Sequence, residues 1–241
     1  MTAPSNHACD LMCSRLLKRC KESAVCTGKK PATWMFRMNA AMRNPKEVPE
    51  DVFQCSLYRN QSMMIPESDF FETVKVVVAT CMCSSYLYSK GVPQGFFTHI
   101  LVDEAGQCTE PETLIPLQLH SSTTKTIIVG DPQQLGPILR SKLATGAGLG
   151  TSLLERCIQT QAAIAAADEK FFEMTTLIRN YRSHPEILRC YSDLFYASKL
   201  LPCAKNTKTY LSWSRLNNPA CPMVFIHREG EDRRDPDSPS W

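Results

Sequence analysis

The hydrophobic positions gather into three short runs, Thr73-Val-Lys-Val-Val-Val-Ala-Thr80, Phe97-Thr-His-Ile-Leu-Val102 and Thr124-Lys-Thr-Ile-Ile-Val129, each followed by small or polar residues. Short runs rich in β-branched residues predict strands, and segments of helical period between them predict crossovers. Strands alternating with helices make an α/β fold with a mainly parallel sheet, whose carboxyl edge is where ligands bind. Three helix starts place a hydroxyl three residues before a glutamate: Thr109-Glu-Pro111-Glu112, Ser152-Leu-Leu-Glu155 and Ser183-His-Pro185-Glu186. Each predicts a capping box, in which the two side chains satisfy the first free backbone donors of the helix. Behind them, Leu153, Leu154 and Ile158, and Ile187, Leu188, Tyr191 and Leu194, recur at helical spacing and are expected in the core.

Residues from about 23 to 71 break this pattern with scattered prolines, asparagines and methionines, and read as an irregular insertion or surface subregion. The alanine-rich stretch Gln161-Ala-Ala-Ile-Ala-Ala-Ala-Asp168 reads as a helix end or connection, with a new element near Phe171. The expected organisation is therefore a first domain over residues 1–170 and the beginning of a second over 171–241. The charged, proline-containing tail from Glu229 to Trp241 is expected to be a loop.

Composition narrows the classes. With 241 residues and 43% hydrophobic content, the chain can bury one large domain, or one domain and part of another. A formal charge of +3 does not by itself announce a nucleic-acid binder. Arg15-Leu-Leu-Lys18-Arg19-Cys-Lys21 and Thr27-Gly-Lys29-Lys30 add local positive charge that a solvated helix face also explains. The twelve cysteines follow no signal peptide and include no Cys-x-x-Cys pair, which argues against a disulfide framework or a zinc site. They are expected as reduced thiols in a soluble cytosolic or nuclear protein. No apolar stretch approaches the ~20 residues of a membrane helix, so no membrane partner is expected.

The candidate chemistry starts at Asp103 and Glu104, two acids delivered by the apolar run that ends at Val102. In nucleotide hydrolases such a pair lets one carboxylate hold magnesium and the other polarise the attacking water, although Asp-Glu also occurs at a plain strand-to-turn junction. Downstream, Gly130-Asp131-Pro132-Gln133-Gln134-Leu135-Gly136-Pro137 frames an amide, Gln134, in a tight turn where it could meet a terminal phosphate or that water. A third segment, Asn180-Tyr181-Arg182-Ser183-His184-Pro185, offers a guanidinium for phosphate oxygens and a ring for stacking. Taken alone, it also reads as an ordinary surface arginine with a packed tyrosine.

In this order the three segments resemble motifs II, III and IV of superfamily 1 helicases in the Up-frameshift-like branch. The opening Thr2-Ala3-Pro4-Ser5-Asn6-His7-Ala8 is similar to motif Ia, and Val77-Val-Ala-Thr80 to the strand motif that follows it. Phe97-Thr98-His99-Ile100, Glu110-Pro111-Glu112, Gly148-Leu149-Gly150 with Ser152-Leu-Leu-Glu155-Arg156, Pro222-Met-Val-Phe and Ser238-Pro239-Ser240-Trp241 resemble the Armitage-type RNA helicases of RNA silencing. The resemblance implies RecA-like motor domains of the P-loop NTPase class and an ATP-driven enzyme that moves 5′ to 3′ on single-stranded RNA. It implies that Asp103 holds Mg2+, Glu104 activates water, Gln134 senses the γ-phosphate, Arg182 contacts it from the second domain, and Tyr181 stacks near the adenine. Pro4, Ser5, Asn6 and Thr80 would meet the RNA backbone, a grip that reads no sequence. Ser5 and Asn6 serve equally as a helix cap. Argonaute-type silencing proteins as partners, and cytoplasmic ribonucleoprotein granules as location, follow from the same resemblance.

The sequence departs from that family at one decisive place. No Gly-x-x-x-x-Gly-Lys-Ser/Thr loop is present, and Gly28-Lys29-Lys30 lacks both the upstream glycine and the following hydroxyl. By the family order the chain is expected to begin just after that loop and to stop before motifs V and VI. Loss of the loop's strand would expose backbone groups within the sheet, so these residues alone are expected to fold poorly and to hydrolyse no ATP. Two alternatives remain: a non-catalytic RNA- or partner-binding protein, and a related helicase acting on DNA or in RNA surveillance.

Overall fold

The computed structural model describes residues 1–21, 30–164, 172–218 and 220–230. The readings placed on residues 23–29, on 165–168 and on the tail from 231 lie outside the described residues. The chain divides into two compact units, Met1–Phe171 and Phe172–Trp241.

In the first unit, five strands among the described residues form one parallel sheet in the order β2-β5-β1-β6-β7. These are β1 (Thr2–Ala3), β2 (Met35–Arg37), β5 (Val76–Thr80), β6 (His99–Val102) and β7 (Lys125–Ile128). A small antiparallel hairpin, β3 (Tyr58–Arg59) and β4 (Ser62–Met63), stands apart from it. The helices are α1 (Asn6–Lys21), α2 (Glu50–Phe53), α3 (Phe70–Thr73), α4 (Ser85–Ser89), α5 (Glu110–Leu117), α6 (Lys142–Gly146) and α7 (Leu153–Ile164).

Alternation along the strands builds a core on both faces. Val77 and Ala79 pack on one side with Phe36, Met38, Phe71, Leu87, Ile100 and Leu119, while Val78 packs on the other with Met35, Val52 and the α1 residues Cys9, Cys13 and Leu17. Successive strand side chains point to opposite faces, so a continuous Val-Val-Val run is what a strand covered on both sides requires. Full burial of a side chain such as Phe36 or Phe71 stabilises by about 1.5–3 kcal/mol.

Three boundaries differ from the sequence reading. Thr73 closes α3 instead of opening β5, because Asp69 caps that short helix and the chain becomes extended only at Val74. Within the stretch read as irregular, Met35–Arg37 is a strand of the main sheet, paired with Val76–Val78. A three-residue strand that includes a buried arginine carries no periodicity by which to recognise it. The start assigned to Ser183 moves to His184, whose Nδ1 accepts from the Glu186 amide. Pro185 occupies the first helical position and holds the preceding residue extended, which puts His184 at the cap.

The second unit contains β8 (Arg179–Asn180) paired in parallel with β9 (Leu201–Pro202), and helix α8 (Pro185–Phe195). Leu188 and Ser192 of α8 are buried, whereas Leu194 and Phe195 are exposed.

Candidate functional site

The carboxyl ends of β5, β1, β6 and β7 bring four sequence segments side by side. Register places Ala3 beside Thr80, and the Cys81 amide donates to the Ala3 carbonyl. On the other side of β1, the Asp103 amide donates to the Thr2 carbonyl. The next strand joins through Ala105, whose amide donates to the Val129 carbonyl at 2.9 Å. Pro4, Ser5, Asn6, Thr80, Asp103 and Glu104 thus emerge on one edge of the sheet, with the Gln134 turn beside them.

The acid pair is built for exposure of its oxygens. Asp103 is half-buried, and its Oδ1 accepts from the Glu104 amide at 3.0 Å. Its second carboxylate oxygen has no hydrogen-bond partner among the described residues. A single carboxylate oxygen presented at a strand end fits Mg2+, which binds through one or two carboxylates and keeps waters and phosphate oxygens as its other ligands. Glu104 takes a left-handed backbone conformation, φ 53° and ψ 34°, which is costly for a side chain other than glycine. The bend sends the chain directly into a 3₁₀ turn over Ala105–Gln107, and Gln107 Nε2 donates to Glu104 Oε2 at 3.1 Å.

Gln134 is exposed, and its Nε2 donates to Asp131 Oδ2 at 2.9 Å while the Gln133 amide donates to Asp131 Oδ1. Asp131 therefore shapes the turn that presents the amide. Helix α5 follows the acids and starts with the complete capping box of Thr109 and Glu112. At its first residue, Glu110 receives a two-point fork from Arg156 of α7, Nε to Oε2 at 2.6 Å and Nη2 to Oε1 at 2.7 Å. That fork holds the Glu110 carboxyl below its ordinary range. It joins two segments that the sequence reading noted separately.

On the RNA-motif side, Ser5 Oγ accepts from the Ala8 amide and so caps α1. Asn6 is exposed, whereas Thr80 is only 8% exposed and its hydroxyl accepts from the Cys83 amide. The structure also shows a buried ionic network that sequence reasoning missed. Arg37 Nε donates to Asp10 Oδ1 at 2.9 Å, and Arg43 Nη2 donates to Asp10 Oδ2 at 2.5 Å. Arg37 Nη2 reaches Asn6 Oδ1 at 3.0 Å. The signal for it was a charged residue inside the apolar run Met35-Phe36-Arg37-Met38. Two buried thiols, Cys81 and Cys108, stand 3.7 Å apart beneath the same edge.

In the second unit, Tyr181 and Arg182 are both exposed. The Arg182 and Ser183 amides donate to Asn180 Oδ1, and Asn180 Nδ2 donates to the Tyr191 hydroxyl. The loop is thus held by its backbone, and the Arg182 side chain has no partner among the described residues. No cluster of three or more His, Cys, Asp or Glu residues suited to a metal occurs among the described residues, and no helix there is long and apolar enough to cross a membrane.

Two family models, each described as an AAA domain, match residues 50–142 and 149–241. RNA helicase Mov10l1 of Homo sapiens is 38% identical over 99% of this chain, and that of Mus musculus 37% identical over the same share. The protein mov-10-B.1 of Danio rerio is 37% identical, again over 99% of the chain. The chain spans 19% and 20% of the two Mov10l1 proteins and 23% of mov-10-B.1.

Proposed function

We propose a function from one premise: the chain belongs to the family of AAA-domain RNA helicases that includes Mov10l1. It is the part of an ATP-dependent RNA helicase that carries the water-activating acids and grips single-stranded RNA, moving 5′ to 3′ in RNA-mediated silencing. One observation carries this reading: the ends of β1, β5 and β6 present RNA-motif residues and the acid pair on one sheet edge, linked by backbone hydrogen bonds. These backbone hydrogen bonds tie the strand end that carries the acids to the strand ends that carry the RNA-motif residues.

Each residue has a stated task. Asp103 offers a free carboxylate oxygen to Mg2+, which when bound draws phosphate oxygens and neutralises their charge. Glu104 orients and deprotonates water, Gln134 reports the phosphate, and exposed Arg182 and Tyr181 meet phosphate and adenine. Ser5 and Asn6 hold the RNA backbone with Pro4, and Thr80, the most enclosed of the set, fixes the strand end beside them. The 241 residues contain no phosphate loop, so ATP phosphates have no cradle here and no step of transfer is assigned to this chain alone. Relatives named as RNA helicases support RNA over DNA. Argonaute-type partners and a cytoplasmic granule location rest on the family resemblance.

Fluorescence anisotropy with a labelled single-stranded RNA and the matching duplex tests the grip. Tighter binding of the single strand, weakening steeply with salt, is expected. Equal affinity for the duplex, or none for either, would overturn it.

A further inference from the structure

The ionic network around Asp10 does more than fill the core. Guanidinium groups only donate hydrogen bonds, so Arg37 Nη2, lying 3.0 Å from the Asn6 side chain, fixes which end of that amide faces inward. The carbonyl oxygen of Asn6 is the acceptor, and its NH2 group is turned outward. Arg37 itself cannot swing away, being fully buried and tied to Asp10 and to the Met38 carbonyl. Asn6 thus presents two donors from a fixed position at the start of α1, where the helix dipole also favours an anion.

Beside this amide lies a cavity of about 370 Å³, within the size range of small-ligand sites. Asn6, His7, Leu11 and Ser14 of α1 form one wall, and Arg43 and Pro49 belong to the other. Arg43 is 9% exposed, and its Nε has no hydrogen-bond partner among the described residues. Asp10, whose carboxylate is paired with Arg37 and Arg43, and Glu47 also line the space. Leu11, Pro49 and the His7 ring offer surfaces for a flat uncharged group.

We propose that this cavity receives one nucleobase of the bound RNA, with the adjoining phosphate held outside on the Asn6 amide, and that Arg37 is the residue that positions that amide. The inference rests on the RNA-gripping function proposed above and gives part of the stretch between α1 and β5 a share in the RNA path. A base between apolar walls with a few convergent polar groups is how single strands are commonly held. The sequence-independent phosphate contact then sets the register.

Photo-crosslinking of the full chain with a single-stranded RNA carrying 4-thiouridine, followed by peptide mass spectrometry, tests the placement. Crosslinks are expected in the peptides spanning His7–Ser14 or Arg43–Pro49, and Ser14→Trp, which fills the cavity, is expected to remove them. Asn6→Asp keeps an acceptor for Arg37 but replaces the outward donors with a negative oxygen. It is expected to weaken RNA binding at least tenfold without lowering the melting temperature. RNA binding with crosslinks confined to other peptides would overturn this inference and leave the RNA-gripping function standing; RNA binding unaffected by Asn6→Asp would overturn both this inference and the backbone contact assigned to Asn6. Failure of the wild-type chain to bind RNA would overturn this inference and the RNA-gripping function alike.

Discussion

Gly130 lies against Gly106. A Cβ built on Gly130 would sit 2.8 Å from the Gly106 nitrogen and 3.0 Å from that of Ala105, and one built on Gly106 would sit 2.9 Å from the Asp131 carbonyl oxygen. The turn that bears Gln134 and the turn that follows the acids therefore meet backbone to backbone, which only two glycines allow. Gly130→Ala should force them apart at a cost of about 1–3 kcal/mol, the range for overpacking where the obstacle cannot move. Urea titration checks this against Gly146→Ala, which meets nothing within 4 Å in α6 and should stabilise by about 0.5–1 kcal/mol.

Asp10 is the single carboxylate serving both Arg37 and Arg43, and all three are buried. Asp10→Ala leaves two enclosed positive charges without their partner, which should cost about 3–5 kcal/mol. The urea midpoint should fall accordingly. A loss of a few tenths would mean that the network contributes far less than its geometry indicates.

Stability should decline in alkali. Burial pushes the Cys13 thiol up to about 12, and those of Cys9 and Cys55 up to about 11, from an ordinary value of 9. Below pH 9 these thiols are neutral in both states, so their contribution is fully present. Above it the unfolded chain ionises while the folded chain does not, and stability is lost until the folded values are reached, at about 1 kcal/mol per thiol per pH unit. Denaturation midpoints measured from pH 9 to 11 should fall, with a shallower slope in Cys13→Ala.

Among the described residues β7 is one of the two edge strands of the sheet, with β2 at the other side, and Ile127 within it and Val129 just after it are each 43% exposed. An edge strand, paired on one side only and bearing apolar side chains, is a template for association. Ile127→Lys should lower self-association of the purified chain, read by sedimentation velocity. Unchanged sedimentation would remove β7 as its source.

The strand cores, the capping box at Thr109 and the edge that carries the acids were legible because they depend on local pattern. Val76–Thr80 and His99–Val102 declare themselves by apolar residues alone, and Asp103-Glu104 by its position after one of them. Met35–Arg37 was not legible, because its strand character comes from pairing with Val76–Val78 and its arginine is tolerated only through an aspartate 27 positions away. The fork from Arg156 to Glu110 spans 46 positions, and no local rule connects the two. Sequence reading also placed the third helix start one residue early, since Ser183 matched the hydroxyl pattern while Pro185 dictated His184.

The central claim is that Asp103 and Glu104 are the acids of an ATP-driven RNA motor. Its most direct test is ATP hydrolysis, with and without single-stranded RNA, by this chain joined to a phosphate-loop segment before it and to motifs V and VI after it, comparing wild type with Glu104→Gln. RNA-stimulated phosphate release is expected, falling by about a hundredfold or more in Glu104→Gln, and none from the 241 residues alone. Turnover by the loop-bearing protein that is indifferent to Glu104→Gln would contradict it.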